Sequence, residues 1–146
     1  MNAQATRTAQ LVQRVLDTAA ALERGLDNSL SLSRGVTFSE YRILTNLQDA
    51  EQGLTRVSLA NKLAMSPSGV TRALKPLEKL GYVTTVKSKR DARQSLAKLS
   101  RGGRALLADV EPILSDFYAG LPVADLSESD MVGLEESLMR FRRGPA

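Results

Sequence analysis

The chain has 146 residues, enough for one domain with a single hydrophobic core, and no apolar run approaches the roughly 20 residues that span a bilayer. It has no cysteine and no histidine, which excludes disulfides and cysteine redox sensing and removes the commonest general base and zinc ligand. Its 20 basic and 16 acidic residues give a formal net charge of +4, and we expect a soluble, cytoplasmic protein with no cofactor, metal or membrane partner.

The first predicted element is a long helix over residues 7–32. Its apolar residues recur at steps of three, four and seven positions, the spacing of one helix face. They include Leu11, Val15, Leu22 and Leu26. Such a stripe can be buried in the chain's own core or against a second copy, and the spacing leaves both open. A second helix should follow Thr37, because Thr37 and Glu40 have the spacing of a capping box.

Two further helices are predicted close together. The apolar positions of the first are Val57, Leu59, Ala60 and Leu63. The second begins with Ser66 as N-cap and Pro67 at the first helical position, and it ends near Gly81. Its apolar side carries Val70, Leu74, Leu77 and Leu80. We expect a kink or a strained turn at Pro76, because proline removes one helical hydrogen bond.

The pattern then changes to period two, which is typical of β-strands. Residues 82–87 form one predicted strand, residues 88–93 a polar connection, and residues 94–99 the returning strand. We therefore predict a β-hairpin with a basic tip.

Two helices are expected after the hairpin. Ser100 should cap the first, and Pro112 should bend or divide it. Pro122 interrupts the chain, and Ser127 should open the last helix. The predicted fold class is therefore mainly α with a small β-hairpin.

Positive charge is concentrated in residues 53–104. This segment holds twelve basic residues against Glu78 and Asp91, a net charge of +10, whereas residues 1–52 carry −1 and residues 105–146 carry −5. A local field of this size suits a polyanion. A solvated surface without a partner would also carry it.

The helix-turn-helix and the basic hairpin together predict contact with double-stranded DNA. The second helix, residues 66–80, can enter the major groove, and the hairpin, residues 87–94, can reach the minor groove or phosphates. The candidate DNA-binding residues are Ser66, Ser68, Thr71, Arg72, Lys75, Lys87, Lys89, Arg90 and Arg93. The alternative explanations are a plain solvated helix face and a charged tip that keeps an edge strand soluble.

Five motifs in this order resemble a known family. They are Leu59-Ala60-x-x-Leu63, Ser66-Pro67-Ser68-Gly69-Val70-Thr71-Arg72, Leu77-Glu78-Lys79-Leu80-Gly81-Tyr82-Val83, Asp91-Ala92-Arg93 and Leu99-Ser100-x-x-Gly103. Over roughly residues 37–120 the chain resembles the winged helix-turn-helix of MarR-type bacterial transcription regulators.

The resemblance implies a homodimer on a pseudo-palindromic DNA operator. A DNA-binding module at residues 37–100 would lie between dimerisation helices at residues 1–36 and 101–146. The expected interface residues are Leu11, Val15, Leu22, Leu26, Leu134, Leu138 and Phe141.

The resemblance also implies roles within the wing and for a small molecule. Asp91 would pair with an arginine, Arg93 by the pattern, and orient it toward DNA. Many members release DNA on binding a small phenolic or aromatic acid, so such an effector is a further candidate partner. The absence of cysteine excludes the redox-sensing branch, and the absence of histidine argues against the metal-sensing branch.

The leading interpretation is a homodimeric DNA-binding transcription regulator that acts as a repressor and is not an enzyme. An enzyme is disfavoured because no nucleophile–base pair with histidine or cysteine can be drawn, which leaves serine–lysine or carboxylate pairs as the remaining options. The alternative is a winged-helix adaptor that binds an acidic protein partner, since the wing charge suits that role too.

Overall fold

The computed structural model describes residues 2–142 of the chain. Its elements are α1 (Ala3–Arg34), α2 (Phe38–Gln48), β1 (Leu54–Thr55), α3 (Arg56–Leu63), α4 (Pro67–Lys79), β2 (Val83–Lys87), β3 (Ser95–Leu99), α5 (Arg101–Ala119), a 3₁₀ turn (Pro122–Asp125) and α6 (Glu128–Phe141). The predicted fold class, mainly helical with a small antiparallel sheet, is confirmed. Contacts divide the described chain into two compact units, one of residues 2–25 and 115–142 and one of residues 26–114.

The sheet has three antiparallel strands in the order β1-β3-β2. The predicted hairpin is present, with Thr85 opposite Ala97 and Val83 opposite Leu99. Strand β1 was not predicted, because two residues are too few to carry a period. It forms where Leu54 pairs with Ala97, so its existence depends on β3, which lies more than 40 residues later in the chain.

Helix α4 has the ends that the sequence predicts. The Ser66 hydroxyl accepts a hydrogen bond from the Gly69 amide at 3.0 Å, and Pro67 is the first helical residue. At the other end Gly81 has φ of +81°, and the Tyr82 amide donates to the Leu77 carbonyl at 2.9 Å. This pairing is a Schellman motif, which satisfies carbonyls that the helix end would otherwise leave unpaired.

Both internal prolines lie within unbroken helices. Helix α4 continues through Pro76, and α5 is not divided at Pro112. Proline removes one hydrogen bond from each helix, but buried residues flank it on both sides: Leu74 and Leu77 in α4, and Val110 and Leu114 in α5. Burial of these neighbours holds each helix together across the missing bond.

Two residues assigned to apolar faces are instead exposed. Leu80 is 58% exposed and Val57 is 59% exposed. Leu80 is the C-cap residue of α4, where the chain already turns toward Gly81, so it leaves the apolar stripe. Val57 stands in the first turn of α3, away from the face that Leu59 and Leu63 bury.

The core of the unit of residues 26–114 is apolar throughout. Among the residues described there, none of the buried side chains is polar or charged. Those with no exposed surface are Leu30, Ile43, Leu44, Leu47, Leu59, Val70, Leu74, Leu77 and Ala97. They come from α1, α2, α3, α4 and β3, so the elements around the basic segment share one core.

The unit of residues 2–25 and 115–142 is built from the start of α1, the end of α5 and α6, and it leaves large apolar side chains exposed. They include Leu11, Leu16, Leu22, Leu134, Leu138 and Phe141. Across residues 2–142, none of the helices is both long enough and apolar enough to cross a bilayer.

Replacing Gly81 with alanine should lower the free energy of unfolding by about 1 kcal/mol. An added Cβ has open space around it, but it disfavours the positive φ. Gly133→Ala is the matched control, because Gly133 lies inside α6 with open space around it and without a positive φ. Gly133→Ala should raise the free energy of unfolding by up to about 1 kcal/mol, because alanine is more favourable than glycine inside a helix. Urea midpoints at one protein concentration measure both, and equal shifts of the same sign would contradict the prediction.

Candidate nucleic-acid interface

Helix α4 has one buried side and one exposed polar side. Val70, Leu74 and Leu77 have no exposed surface. The predicted site residues lie on the remaining surface: Ser66, Ser68, Arg72 and Lys75 are exposed and Thr71 is half-buried. Arg72 and Lys75 therefore point away from the apolar stripe, and Thr71 does so in part.

Local hydrogen bonds order the hydroxyl groups at the start of α4. Ser66 Oγ lies 3.2 Å from Ser68 Oγ and also accepts the Gly69 amide, while Thr71 Oγ1 donates to the Pro67 carbonyl at 3.1 Å. The Ser66 hydroxyl therefore caps the helix, and the Thr71 hydroxyl bonds back to its first turn. Arg72 makes no ion pair with any residue in the described part of the chain.

The tip of the β2–β3 hairpin, called the wing below (residues 87–94), is closed by backbone bonds. The Ser88 amide donates to the Gln94 carbonyl at 2.9 Å, and the Gln94 amide donates to the Asp91 carbonyl at 3.0 Å. The four predicted wing cations are all exposed: Lys87, Lys89, Arg90 and Arg93. The tip is thus a compact turn with its positive charges directed to solvent.

Asp91 has a different partner from the one that the family resemblance implies. Its Oδ1 accepts a hydrogen bond from the backbone amide of Arg93 at 2.9 Å. Within residues 2–142 the carboxylate makes no ion pair with the Arg93 guanidinium. Asp91 therefore orders the backbone of the turn, as aspartate commonly does two residues before a bonded amide, and leaves the Arg93 side chain unpaired.

A polar cluster that the sequence did not predict joins α4 to the hairpin. Thr85 Oγ1 donates to Glu78 Oε1 at 2.5 Å, and Arg56 Nη2 lies 3.7 Å from the same oxygen. Arg56 Nη1 also donates to Ser95 Oγ at 3.1 Å. The only signal in the sequence is the charge of Glu78 within a strongly basic segment.

The outer face of the hairpin adds to the positive surface. A concavity of about 510 Å³ there is lined by Lys87, Lys89, Arg90 and Lys98, and none of its lining residues is acidic. The described residues hold no group of histidine, cysteine, aspartate or glutamate that could bind a metal ion. The electrostatics of this region are therefore those of exposed cations.

Two short helices followed by a basic two-stranded wing define a winged helix-turn-helix protein. The MarR family model matches residues 34–94, which contain α2, α3, α4, β2 and the whole wing. Comparison with curated protein sequences gives no match.

Solved structures of similar fold include a MarR family regulator, a MarR protein and a protein bound to a small molecule. Sco3205, a MarR family transcriptional regulator from Streptomyces coelicolor in complex with DNA, is 28% identical with a TM-score of 0.82, over 90% of this chain and 83% of that one. A mutant MarR from E. coli complexed with operator DNA is 24% identical with a TM-score of 0.82, over 92% and 95%. CouR from Rhodococcus jostii RHA1, bound to p-coumaroyl-CoA, is 18% identical with a TM-score of 0.78, over 100% and 99%.

These comparisons confirm the resemblance found in the sequence. Residues 34–94 match the model of the MarR family, and the solved structures of similar fold include a transcriptional regulator of that family. Members of the family are transcriptional regulators and not enzymes.

Ser66→Ala should lower the free energy of unfolding by about 1 kcal/mol, because the Gly69 amide loses its acceptor. Ser66→Asp should keep the stability, since aspartate is an equally good N-cap. Ser68→Ala is the matched control, because Ser68 is exposed and does not cap the helix. Its substitution should change the free energy of unfolding by less than about 0.5 kcal/mol. Chemical denaturation of the three variants measures this, and a loss at Ser68 as large as that at Ser66 would refute the capping assignment.

Proposed function

We propose that the chain is a homodimeric DNA-binding repressor of transcription. In this proposal α4 enters the major groove of a pseudo-palindromic operator, and the wing lies against the neighbouring minor groove or the phosphates. The observation that carries the proposal is that α4 exposes a polar, cationic side while its apolar side is buried in the same unit that holds the basic wing.

The exposed side of α4 has the chemistry for reading base edges. Arg72 is exposed and without an ion-pair partner among residues 2–142, and an arginine can pair bidentately with guanine in the major groove. Lys75 lies less than one turn further on the same exposed surface. Ser66 and Ser68 are at the helix N-terminus, where free amides and the helix dipole favour a phosphate.

The wing has the chemistry for the DNA backbone. Its four exposed cations stand on a turn that Asp91 and Ser88 order through backbone amides. Neutralising phosphates with lysine and arginine releases counterions, which supplies sequence-independent affinity. A narrow minor groove concentrates negative potential and attracts arginine, so Arg90 and Arg93 suit that position.

Dimerisation is supported by apolar side chains that a single chain leaves exposed. On α1 and α6 these are Leu11, Leu22, Leu134, Leu138 and Phe141, and Val15 is half-buried. Exposed apolar surface of this extent is typical of a protein interface. Leu26 is only 5% exposed and belongs to the chain's own core, so we leave it out of the proposed interface. A twofold dimer matches the symmetry of a pseudo-palindromic operator.

A small aromatic acid is the proposed effector that releases the DNA. CouR, of similar fold, is bound to p-coumaroyl-CoA. In this chain a concavity of about 400 Å³ between α2 and α5 is lined by Tyr41, Arg104 and Leu107 among others. An aromatic ring, a guanidinium and an apolar side chain suit an aromatic carboxylate, whereas Glu111, which also lines the concavity, opposes one. Addition of an aromatic acid should lower the affinity of the chain for its DNA site if this proposal holds.

Selection of bound DNA from a random pool should enrich a symmetric site with half-site centres about one helical turn apart. On that site Arg72→Ala should cost about 1–3 kcal/mol of binding free energy and relax the preference at one base position in each half-site. Lys89→Ala should instead weaken binding to all sequences alike. The slope of log affinity against log salt should fall by the contribution of about one phosphate contact. Fluorescence anisotropy over a series of salt concentrations measures both effects.

Arg7→Ala is the matched control for these variants, because it removes one exposed positive charge from α1, which the proposal does not place on DNA. It should leave specificity and base preference unchanged. Equal binding of Arg72→Ala and the parent to the selected and a scrambled site would overturn the assignment of α4. A pool without enrichment would favour an adaptor that binds an acidic protein.

Leu138→Glu should weaken the dimer by at least about tenfold, because it places a charge within a surface that association would bury. Leu138 is 43% exposed in the single chain. Leu32→Glu is the matched control, since Leu32 is 89% exposed and lies off the apolar stripe of α1. Sedimentation equilibrium gives the dissociation constants, and a parent chain that is monomeric at micromolar concentration would contradict the proposal.

A further inference from the structure

Four side chains form a polar cluster that we call the Glu78 bridge: Arg56, Glu78, Thr85 and Ser95. Glu78, in the last turn of α4, accepts the Thr85 hydroxyl at 2.5 Å and lies 3.7 Å from the Arg56 guanidinium. Arg56, at the start of α3, donates to Ser95 at 3.1 Å. The bridge therefore connects both helices of the helix-turn-helix to both strands of the hairpin.

The register of the hairpin places the bridge on its inner face. Thr85 stands opposite Ala97, which has no exposed surface, and shares its face of the sheet, whereas Thr85 and Ser95 are themselves exposed. Ser95 lies two residues before Ala97 on the same strand and shares that face. The bridge thus lies at the surface where α4 meets the hairpin, beside the base of the wing.

Glu78 stands in a position that electrostatics alone would disfavour. It is the only acidic residue of α4 and one of two in residues 53–104, which carry a net charge of +10. A carboxylate near a helix C-terminus also meets the negative end of the helix dipole, and on a DNA-binding surface it would repel phosphates. Its two partners offset these costs, and neither partner lies on α4.

We propose that the Glu78 bridge fixes the angle between α4 and the wing, so that both reach DNA at the same time. This inference rests on the proposed function. A wing free to tilt would have to be ordered on binding, whereas a wing held in place contributes its phosphate contacts without that cost. Glu78 and Thr85 are then positioning residues, because they act through the wing and do not touch DNA.

The position of the wing can be measured without DNA. The full chain has no cysteine, so spin labels can be placed through Asn61→Cys on α3 and Ala92→Cys at the wing tip, both exposed positions. Labelled chains are diluted with an excess of unlabelled chains, so that only distances within one chain are recorded. Glu78→Gln and Thr85→Val should broaden or shift the distance distribution between the two labels.

Thr85→Val tests the bridge with little risk to the fold. It keeps shape and charge while it removes the hydroxyl that donates to Glu78, and valine is favourable in a strand. Glu51→Gln is the matched control for Glu78→Gln: Glu51 is exposed and outside the bridge, and its substitution adds the same unit of charge. It should leave the label distances unchanged.

DNA binding gives a second measurement, in which a change of charge alone leaves the ratio of specific to non-specific affinity unchanged and a change of wing position lowers it. Glu78→Gln makes the chain more positive, so electrostatics alone predicts tighter binding to every sequence. The bridge predicts instead that the ratio of specific to non-specific affinity falls by about fivefold. Thr85→Val should lower the same ratio with an unchanged charge, and Glu51→Gln should leave the ratio as in the parent.

Unchanged label distances together with an unchanged affinity ratio in both bridge variants would overturn the proposal. A rise in affinity for all sequences with Glu78→Gln, equal to that with Glu51→Gln, would also overturn it. If the parent chain selects no DNA, the proposed function fails, and the label distances alone still decide whether the bridge holds the wing.

Discussion

Burial of the apolar side of α4 is the constraint on which the rest of the molecule depends. Val70, Leu74 and Leu77 lie in the core with residues of α2, α3 and β3 and have no exposed surface. Once that side is buried, the rotation of the helix about its own axis is fixed, and Arg72 and Lys75 must face outward. Burial of three such side chains contributes several kcal/mol, more than the helix would gain from its intrinsic propensity.

The same core brings the charges of the basic segment together. Each buried side chain described in residues 26–114 is apolar, so the twelve cations of residues 53–104 lie at or near the surface of one unit. Within this unit the described residues form two ion pairs, Arg34 with Asp109 and Arg56 with Glu78. Most of its positive charge is thus left without a carboxylate, and mutual repulsion is the cost of keeping it available to a polyanion.

Features encoded by neighbouring residues could be predicted from the sequence, and features that join distant residues could not. Thr37, Ser66 and Ser127 cap the helices that their local patterns predicted, because a cap involves only the next three residues. Strand β1 and the Glu78 bridge depend on partners up to 43 and 39 residues away, which no local pattern records. The partner of Asp91 was expected from a family motif, and the motif does not distinguish the backbone amide of Arg93 from its guanidinium.

The division between the two sides of α4 also separates stability from recognition. Buried leucines and the two caps hold the helix, whereas the exposed side chains add little to folding, since surface substitutions usually change stability by less than about 0.5 kcal/mol. Base preference can therefore change by substitution at exposed positions without loss of the fold. Ser66 is the exception, because its hydroxyl caps the helix and stands at the phosphate-facing end. A substitution at Ser66 therefore affects stability and DNA contact together, and only a residue that both caps the helix and tolerates a phosphate can replace it.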